Sequence, residues 1–448
     1  MTVREAPPRS DDGSLLARDW VLIAAIALLP SLFSIWAIPL GAAVPDPSCA
    51  PDEAAHMQQV AALARGDTSA WPARDSRMSM HLQTPYLPHL AALAAARAGA
   101  DPAWAYRFPL VKEVYRGFPV TRLASVALGV LGVLALAAAV ATATGSRDAG
   151  RFAGLVAALF PQRFFISSYV NGDAATFAAG ALLVLALARW RDRGESAVGL
   201  PLVGIACGAV LLAKPNGYVL LPPTALWLAW SALRGAREEH PRALPLRDLV
   251  RAALIAVAIA TPVLVWNGVR LGSLDVLGIG AYRSYLASDA WHGAAGMTLP
   301  ENAPWVFARA LARSSFMKFG NMSLAIPSPL YAVWLVSLPA GLLLAARRLH
   351  DAPASTWRAA AWIGGVAAFA FAAAVYECFW VDFSPQGRYV LLPVVILTLV
   401  SWLGWTSEGD RVLRRRVLVG YLAVVALWSL ALLVVMPCGA HVALPASP

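Results

Sequence analysis

The chain has 448 residues, of which 59% are apolar and only 14% are charged. Soluble domains average about 45–50% apolar and about 25% charged residues. This composition excludes a disordered chain, a collagen-like chain and a small disulfide scaffold, and it favours a membrane protein. The formal net charge is +10, and in a chain this apolar we assign it to basic loops beside a membrane rather than to nucleic-acid binding.

Apolar segments recur along the whole sequence, and a membrane span needs about 20 mostly apolar residues. They predict an all-α polytopic membrane protein, folded as a single domain over residues 1–448. Eleven spans are predicted, at residues 20–41, 119–143, 151–169, 173–190, 199–214, 216–233, 250–270, 328–346, 358–377, 389–406 and 416–437. The weakest prediction is the pair of spans that flank Lys214. The span 199–214 is short, and the turn after it is also consistent with a re-entrant segment.

Arginines crowd one set of short connections, for example residues 189–193 and 411–416. Basic loops face the cytoplasm, so we expect a cytoplasmic N-terminus in the inner membrane of a bacterium. The two long segments, residues 42–118 and 271–327, then lie on the extracytoplasmic side. A long unstructured loop is uncommon, and we expect interfacial helices in both loops.

The cysteine positions allow a disulfide but do not identify its partners. Cys207 lies within a span and reads as a core residue, whereas Cys49, Cys378 and Cys438 map to the extracytoplasmic side, where disulfides persist. Spacing allows either Cys49–Cys438 or Cys49–Cys378. The spacings CxxC and HxxxH, which favour zinc, do not occur.

The sharpest candidate site begins at Pro51, directly after the first span. Asp52 and Glu53 are adjacent carboxylates, and His56 follows Asp52 at the i, i+4 spacing that shares a helix face. One interpretation is a helix start stabilised by acidic residues in its first turn. The other is a general base, with or without a divalent cation, beside the low-dielectric membrane.

Two further candidates lie at predicted extracytoplasmic turns. Asn171-Gly172-Asp173 follows the third span; Asn-Gly is a turn signal, but the turn also opens on the same face as Asp52. Lys214 lies between two apolar segments, where a lysine either snorkels to the surface or serves a function. A buried cation at this position suits a lipid phosphate.

Near the C-terminus, Gln386-Gly387-Arg388-Tyr389 enters the tenth span. Arg388 offers a two-pronged donor for phosphate on the side where basic residues are disfavoured, and Gln386 and Tyr389 can bind hydroxyl groups. Lys318, with aromatic neighbours in the second long loop, suits either a lipid-phosphate entrance or an interfacial anchor. Arg283, Trp291 and His292 are less specific candidates in that loop.

The ordered set of these motifs resembles the GT-C membrane glycosyltransferases. The opening Pro51-Asp52-Glu53 of the first long loop is similar to that of the aminoarabinose transferases and protein O-mannosyltransferases. The full series is similar to an uncharacterised family of bacterial membrane proteins with a Pro-Asp-Glu-x-x-His motif. That series comprises Pro51 to His56, Gln83-Thr84-Pro85-Tyr86, Asn171-Gly172-Asp173, Lys214, Phe319-Gly320 and Gln386-Gly387-Arg388-Tyr389.

The resemblance implies transfer of a sugar from a polyprenyl-phosphate donor to a glycan or lipid acceptor, with inversion at the anomeric carbon. Asp52 would be the base, with Glu53 as its partner or substitute. Lys214 and Arg388 would hold the leaving phosphate, and Asp173 and His56 would orient the acceptor or the base. No cofactor is certain, and a divalent cation stays open because metal use varies among these enzymes. The lack of a large soluble C-terminal domain implies a small or lipid-linked acceptor.

Two other functions are consistent with a polytopic chain. A transporter or lipid flippase requires polar residues near the middle of the membrane, for which Arg163, Asn267 and Ser401 are the candidates. A non-catalytic subunit of an envelope-polysaccharide assembly system would keep the fold and tolerate loss of Asp52.

Overall fold

The computed structural model describes residues 14–37, 56, 60, 119–193, 195–237, 245–271, 275–276, 301–319, 324–350, 352–381, 385–406 and 410–435. Most of these residues lie in α-helices. The helices are α1 (Ala17–Ala37), α2 (Pro119–Thr144), α3 (Arg147–Leu159), α4 (Pro161–Ile166), α5 (Gly172–Asp192), α6 (Leu200–Ala213), α7 (Leu221–Arg237), α8 (Leu246–Leu271), α9 (Ala303–Phe316), α10 (Ser328–Arg347), α11 (Ala354–Tyr376), α12 (Leu391–Trp405) and α13 (Arg411–Val435).

Shorter elements join several of these helices. Turns of 3₁₀-helix cover Ala197–Gly199, Pro215–Leu220 and Gly387–Val390, and a π-helical turn, Glu377–Val381, follows α11. In the second long loop, β1 (Lys318–Phe319) pairs antiparallel with β2 (Leu324–Ala325), with Lys318 opposite Ala325. The sequence pattern did not predict this small hairpin. The same loop contributes α9, which agrees with the expected helix there.

Eight helical segments among the described residues are long and apolar enough to cross a membrane, and each matches a predicted span. They are Ala17–Ile35, Thr121–Thr144, Gly172–Asp192, Leu246–Val269, Ser328–Arg347, Thr356–Trp380, Gly387–Trp405 and Arg411–Leu433. The other three predicted spans correspond to shorter helical stretches: α3 with α4, α6, and the Pro215–Leu220 turn with α7. The total of eleven spans therefore stays a prediction.

The predicted span 151–169 is corrected in one respect, because it consists of two helices. α3 ends at Leu159, Phe160 is extended, and Pro161 occupies the first position of α4. Proline is tolerated at a helix start, but within a helix it removes a hydrogen bond and clashes with the preceding turn. The apolar run continues through this break, so hydropathy alone does not reveal it.

Arg163 fills the break and is fully buried. Its guanidinium donates to the carbonyls of Ala157 (3.2 Å) and Ala158 in the last turn of α3. It also donates to Ala27 O (3.1 Å) and Ser31 Oγ (3.0 Å) in α1. The final carbonyls of a helix have no partner within it and carry its negative dipole end. Arg163 thus satisfies the end of α3 and ties it to α1.

Small residues let the long helices approach closely, which is the usual mode of packing in membranes. A Cβ added to Gly204 of α6 would lie 2.5 Å from the carbonyl oxygen of Ala252 in α8. A Cβ on Gly404 of α12 would overlap the backbone of Gly341 in α10. These contacts fix helix positions without polar side chains.

Replacing Arg163 with Met should lower the free energy of unfolding by about 2 kcal/mol or more, because buried carbonyls lose their donors. The free energy of unfolding of Arg163→Lys should lie between those of the native protein and Arg163→Met, since one ammonium cannot reach both helices. Thermal unfolding in detergent, followed by tryptophan fluorescence, measures this. The matched control is Arg247→Gln, whose side chain is 86% exposed and which should change stability by about 0.5 kcal/mol or less. Equal midpoints for Arg163→Met and the control would contradict this role.

Candidate functional site

Three elements bring charged side chains to one end of the helix bundle. α5 begins at Gly172, α6 ends at Ala213 immediately before Lys214, and the turn Gly387–Val390 leads into α12. We call this end of the bundle, marked by Asp173, Lys214 and Arg388, the site end. The sequence placed these three residues on a common face, and the structure brings them into contact.

Asn171 organises the turn that starts α5. Its Oδ1 accepts hydrogen bonds from the backbone N–H groups of Asp173 (2.7 Å) and Ala174 (3.0 Å), which makes it the N-cap. Its Nδ2 donates to the carbonyls of Ile166 (2.6 Å) and Tyr169 (2.9 Å) at the end of the preceding segment. Asn171 thus has the role in a turn that the sequence indicated. The same turn fixes the position of Asp173.

Asp173 and Lys214 form a buried ion pair. Lys214 Nζ donates to Asp173 Oδ1 at 2.9 Å, and the two side chains are only 5% and 3% exposed. Gly172 makes the approach possible, since a Cβ there would lie 2.7 Å from Lys214 Cδ. The lysine does not snorkel to the surface.

Arg388 completes the cluster and lies near the second carboxylate oxygen of Asp173. Its Nε lies 3.7 Å from Asp173 Oδ2, and its side chain is 7% exposed. The ring of Tyr389 packs against both cations, with Lys214 Nζ at 5.3 Å and Arg388 Cζ at 5.2 Å from the ring centre. A ring face attracts cations, so Tyr389 helps to hold two like charges together.

A residue that the sequence reasoning missed positions this arginine. The hydroxyl of Ser314, near the end of α9, accepts a hydrogen bond from Gly387 N at 2.7 Å. A Cβ on Gly387 would overlap the backbone of Ser315. The glycine of the Gln-Gly-Arg-Tyr motif is therefore needed for α9 to press against the turn. Only the fold shows this contact, because 73 residues separate the partners.

The donor groups of the cluster suit an anionic ligand. Two cations, Lys214 and Arg388, converge on the Asp173 carboxylate in a region that water reaches poorly. Asp173 Oδ2 accepts no hydrogen bond from any described residue. Lysine and arginine donors in a desolvated pocket suit a phosphate group, which offers several acceptor oxygens.

The other predicted site residues lie in different places. Asp52 and Glu53 are outside the described residues, so their geometry stays a prediction. His56 is helical and buried, at 2% exposure. Gln386 is half-buried and immediately precedes the turn that carries Arg388. Lys318 lies on β1, half-buried.

Metal and disulfide expectations concern residues that are largely outside the described set. Within the described ranges, no three His, Cys, Asp or Glu side chains are grouped as metal ligands. Cys378 is buried near the site end of α11, and Cys207 is partly buried against the core. Cys49 and Cys438 lie outside the described residues, so both predicted pairings stay predictions.

Comparison with known proteins bears on the fold as a whole. Residues 110–266, about a third of the chain, match the family model for dolichyl-phosphate-mannose-protein mannosyltransferase. The structure is similar to ArnT from Cupriavidus metallidurans bound to undecaprenyl phosphate, with a TM-score of 0.56 and 15% identity, over 95% of this chain and 77% of that one. It is also similar to the apo oligosaccharyltransferase of Archaeoglobus fulgidus, with a TM-score of 0.50 and 12% identity. That match covers 93% of this chain and 55% of the archaeal one. No curated protein matches the chain in sequence.

Replacing Gly172 with Ala should push Lys214 away from Asp173 and lower the free energy of unfolding by about 1–3 kcal/mol, as overpacking does. Gly364→Ala is the matched control, because nothing lies within 4 Å of the added Cβ, and alanine is preferred to glycine within a helix by about 0.5–1 kcal/mol. Chemical unfolding of both variants in detergent compares them. A Gly172→Ala protein as stable as the control would show that the close approach is not needed.

Proposed function

From a chain that has the fold of the GT-C membrane glycosyltransferases, we propose a transferase that moves a sugar from a polyprenyl-phosphate donor to an extracytoplasmic glycan or lipid acceptor. The observation that carries the proposal is the buried cluster of Lys214, Asp173 and Arg388. Its ammonium and guanidinium groups suit the phosphate that such a donor releases. The ArnT structure with undecaprenyl phosphate supports this class of ligand for a fold of this kind.

The distribution of arginines supports an extracytoplasmic site end. At the opposite end of the bundle, Arg147 Nε and Arg151 NH2 contact Asp19 at 2.7 and 2.6 Å. Arg358 contacts Glu195 at 2.8 Å at that same end. Further arginines follow α5 and α10 and lie in the first turns of α13 there. Basic ends face the cytoplasm, which would place this chain in a bacterial inner membrane with Lys214 outside.

In the proposed reaction, an acceptor hydroxyl oxygen attacks the anomeric carbon while the bond from that carbon to the phosphate oxygen breaks. The phosphate leaves with the bonding electron pair, and Lys214 and Arg388 stabilise its charge. The hydroxyl proton passes to a carboxylate. Attack opposite the leaving group inverts the anomeric centre.

We assign the base to Asp52, with Glu53 as its partner, because Asp173 is committed to another task. Asp173 Oδ1 accepts a hydrogen bond from Lys214 at 2.9 Å and Asp173 Oδ2 lies 3.7 Å from Arg388 Nε, so each carboxylate oxygen faces a cation. Asp173 is better suited to hold the two cations in position. His56 would orient the acceptor or the base, Gln386 and Tyr389 would contribute to substrate binding, and Lys318 would line the entrance for a lipid phosphate. A divalent cation at Asp52 and Glu53 stays an open part of this proposal.

The alternative of a transporter or flippase finds less support. Its three candidate residues within the spans are used in local contacts. Arg163 caps α3, Asn267 Nδ2 donates to Val276 O at 2.9 Å, and Ser401 Oγ donates to Ser337 O at 3.0 Å. A transport path needs polar groups that line a cavity. The contacts of these three instead join helices or close a helix end.

Replacing Asp52 with Asn in the native host should abolish one extracytoplasmic glycan modification and cause the polyprenyl-phosphate sugar to accumulate, because the base is lost. Mass spectrometry of envelope glycans and extracted lipids measures both pools. Asp148→Asn is the matched control, since that carboxylate is 70% exposed at the opposite end, and it should leave both pools unchanged.

A second variant separates catalysis from donor binding. Lys214→Gln should give the same loss of glycan and should also weaken retention of polyprenyl phosphate by the purified protein. Unchanged glycans in a normally expressed Asp52→Asn strain, with altered glycans in the deletion strain, would contradict the transferase proposal and favour a non-catalytic subunit.

A further inference from the structure

A second group of cations lies beside the site, on α9 and β1. Arg309 and Arg313 are four residues apart, which places them on one face of α9. Lys318 follows on β1, five residues after Arg313. Within the part of the chain that the structure describes, none of the three forms an ion pair with a carboxylate.

The fold holds these cations near one another. Arg313 donates to Ser328 Oγ at 3.2 Å, and its guanidinium lies 5.5 Å from the ring centre of Tyr331. Burial lowers the pKa of Lys318, and the charges of Arg313 and Arg309 lower it further. Like charges that are held together without a carboxylate repel one another, and a bound anion relieves that repulsion.

The position of α9 indicates where such an anion comes from. In the chain, α9 follows the site-end terminus of α8 and precedes that of α10. The contact between Ser314 and Gly387 keeps α9 beside Arg388. Its outer surface exposes Trp305, at 67%, and Val306, at 37%. Exposed tryptophan next to basic residues is typical of helices that lie in the headgroup region of a membrane.

We propose that Arg309, Arg313 and Lys318 form a second phosphate-binding site, separate from the buried cluster, that takes the headgroup phosphate of an anionic lipid in the leaflet at the site end. This site rests on the membrane orientation proposed above and not on the transfer reaction. It would hold an anionic lipid next to the turn that carries Arg388.

A photocrosslinking experiment tests this site with lipids of defined charge. The photoreactive residue p-benzoylphenylalanine is placed at Trp305, and the full-length protein is reconstituted in nanodiscs of phosphatidylglycerol and phosphatidylcholine. Mass spectrometry of the adducts gives the ratio of anionic to zwitterionic lipid. The reference probe replaces Trp380, which is also 67% exposed and lies in the π-helical turn after α11, outside α9 and β1.

We expect the ratio at Trp305 to exceed that at Trp380 by at least about fivefold, the effect of one basic residue near an anionic headgroup. Arg309→Gln with Lys318→Gln should remove the difference, whereas Arg247→Gln at the opposite end should keep it. Arg313 is left intact because it also contacts Ser328. Equal ratios at the two probes, an unchanged ratio in the double variant, or no lipid adduct at Trp305 would overturn the proposal. A purified protein without transferase activity should still show the lipid preference in this assay.

Discussion

The buried ion pair between Lys214 and Asp173 is the constraint on which the site end depends. Two charges removed from water are tolerated only when they are close and well oriented. The start of α5 and the end of α6 must therefore meet, so that Lys214 and Asp173 lie within hydrogen-bonding distance. Asn171 satisfies this by capping α5 while bonding back to the preceding segment, and Gly172 by leaving room for the lysine stem. Arg388 then joins a centre that is already fixed.

The exposure of the paired cations differs between the two ends of the bundle, and this difference links structure to function. At the end rich in arginine, Asp19 lies between Arg147 and Arg151, whose side chains are 24% and 32% exposed, so water also stabilises their charge. At the site end, two nearly buried cations share Asp173 with little water. Charged groups held close together in a buried setting are costly for stability and are typical of functional sites. Ammonium and guanidinium groups in such a setting suit a phosphate, which is why we connect this cluster with the donor.

The sequence predicted that Lys214, Asp173 and Arg388 share one face, but it did not predict how they are held together. Lys214, Asp173 and Arg388 were recognisable because charged residues at apolar boundaries are unusual, and alternating spans placed them on one face. The hydropathy pattern missed the helix break at Phe160, because it is continuous through the break; the signal that marks it in the sequence is Pro161. The hydroxyl of Ser314 that positions Gly387 was also hidden, since no local pattern reports a contact between distant segments. The general base Asp52 stays a prediction from its motif.

The central claim, that Lys214 holds the donor phosphate, can be measured by solid-state NMR because the chain has only three lysines. Labelling their side chains with ¹⁵N and adding polyprenyl phosphate allows a ¹⁵N–³¹P distance measurement. A charged N–H···O⁻ contact has N and O about 2.8 Å apart, so we predict one lysine nitrogen within about 4 Å of phosphorus. This coupling should disappear in Lys214→Arg and persist in Lys318→Arg. A bound phosphate without coupling, or a coupling that survives in Lys214→Arg, would contradict the account.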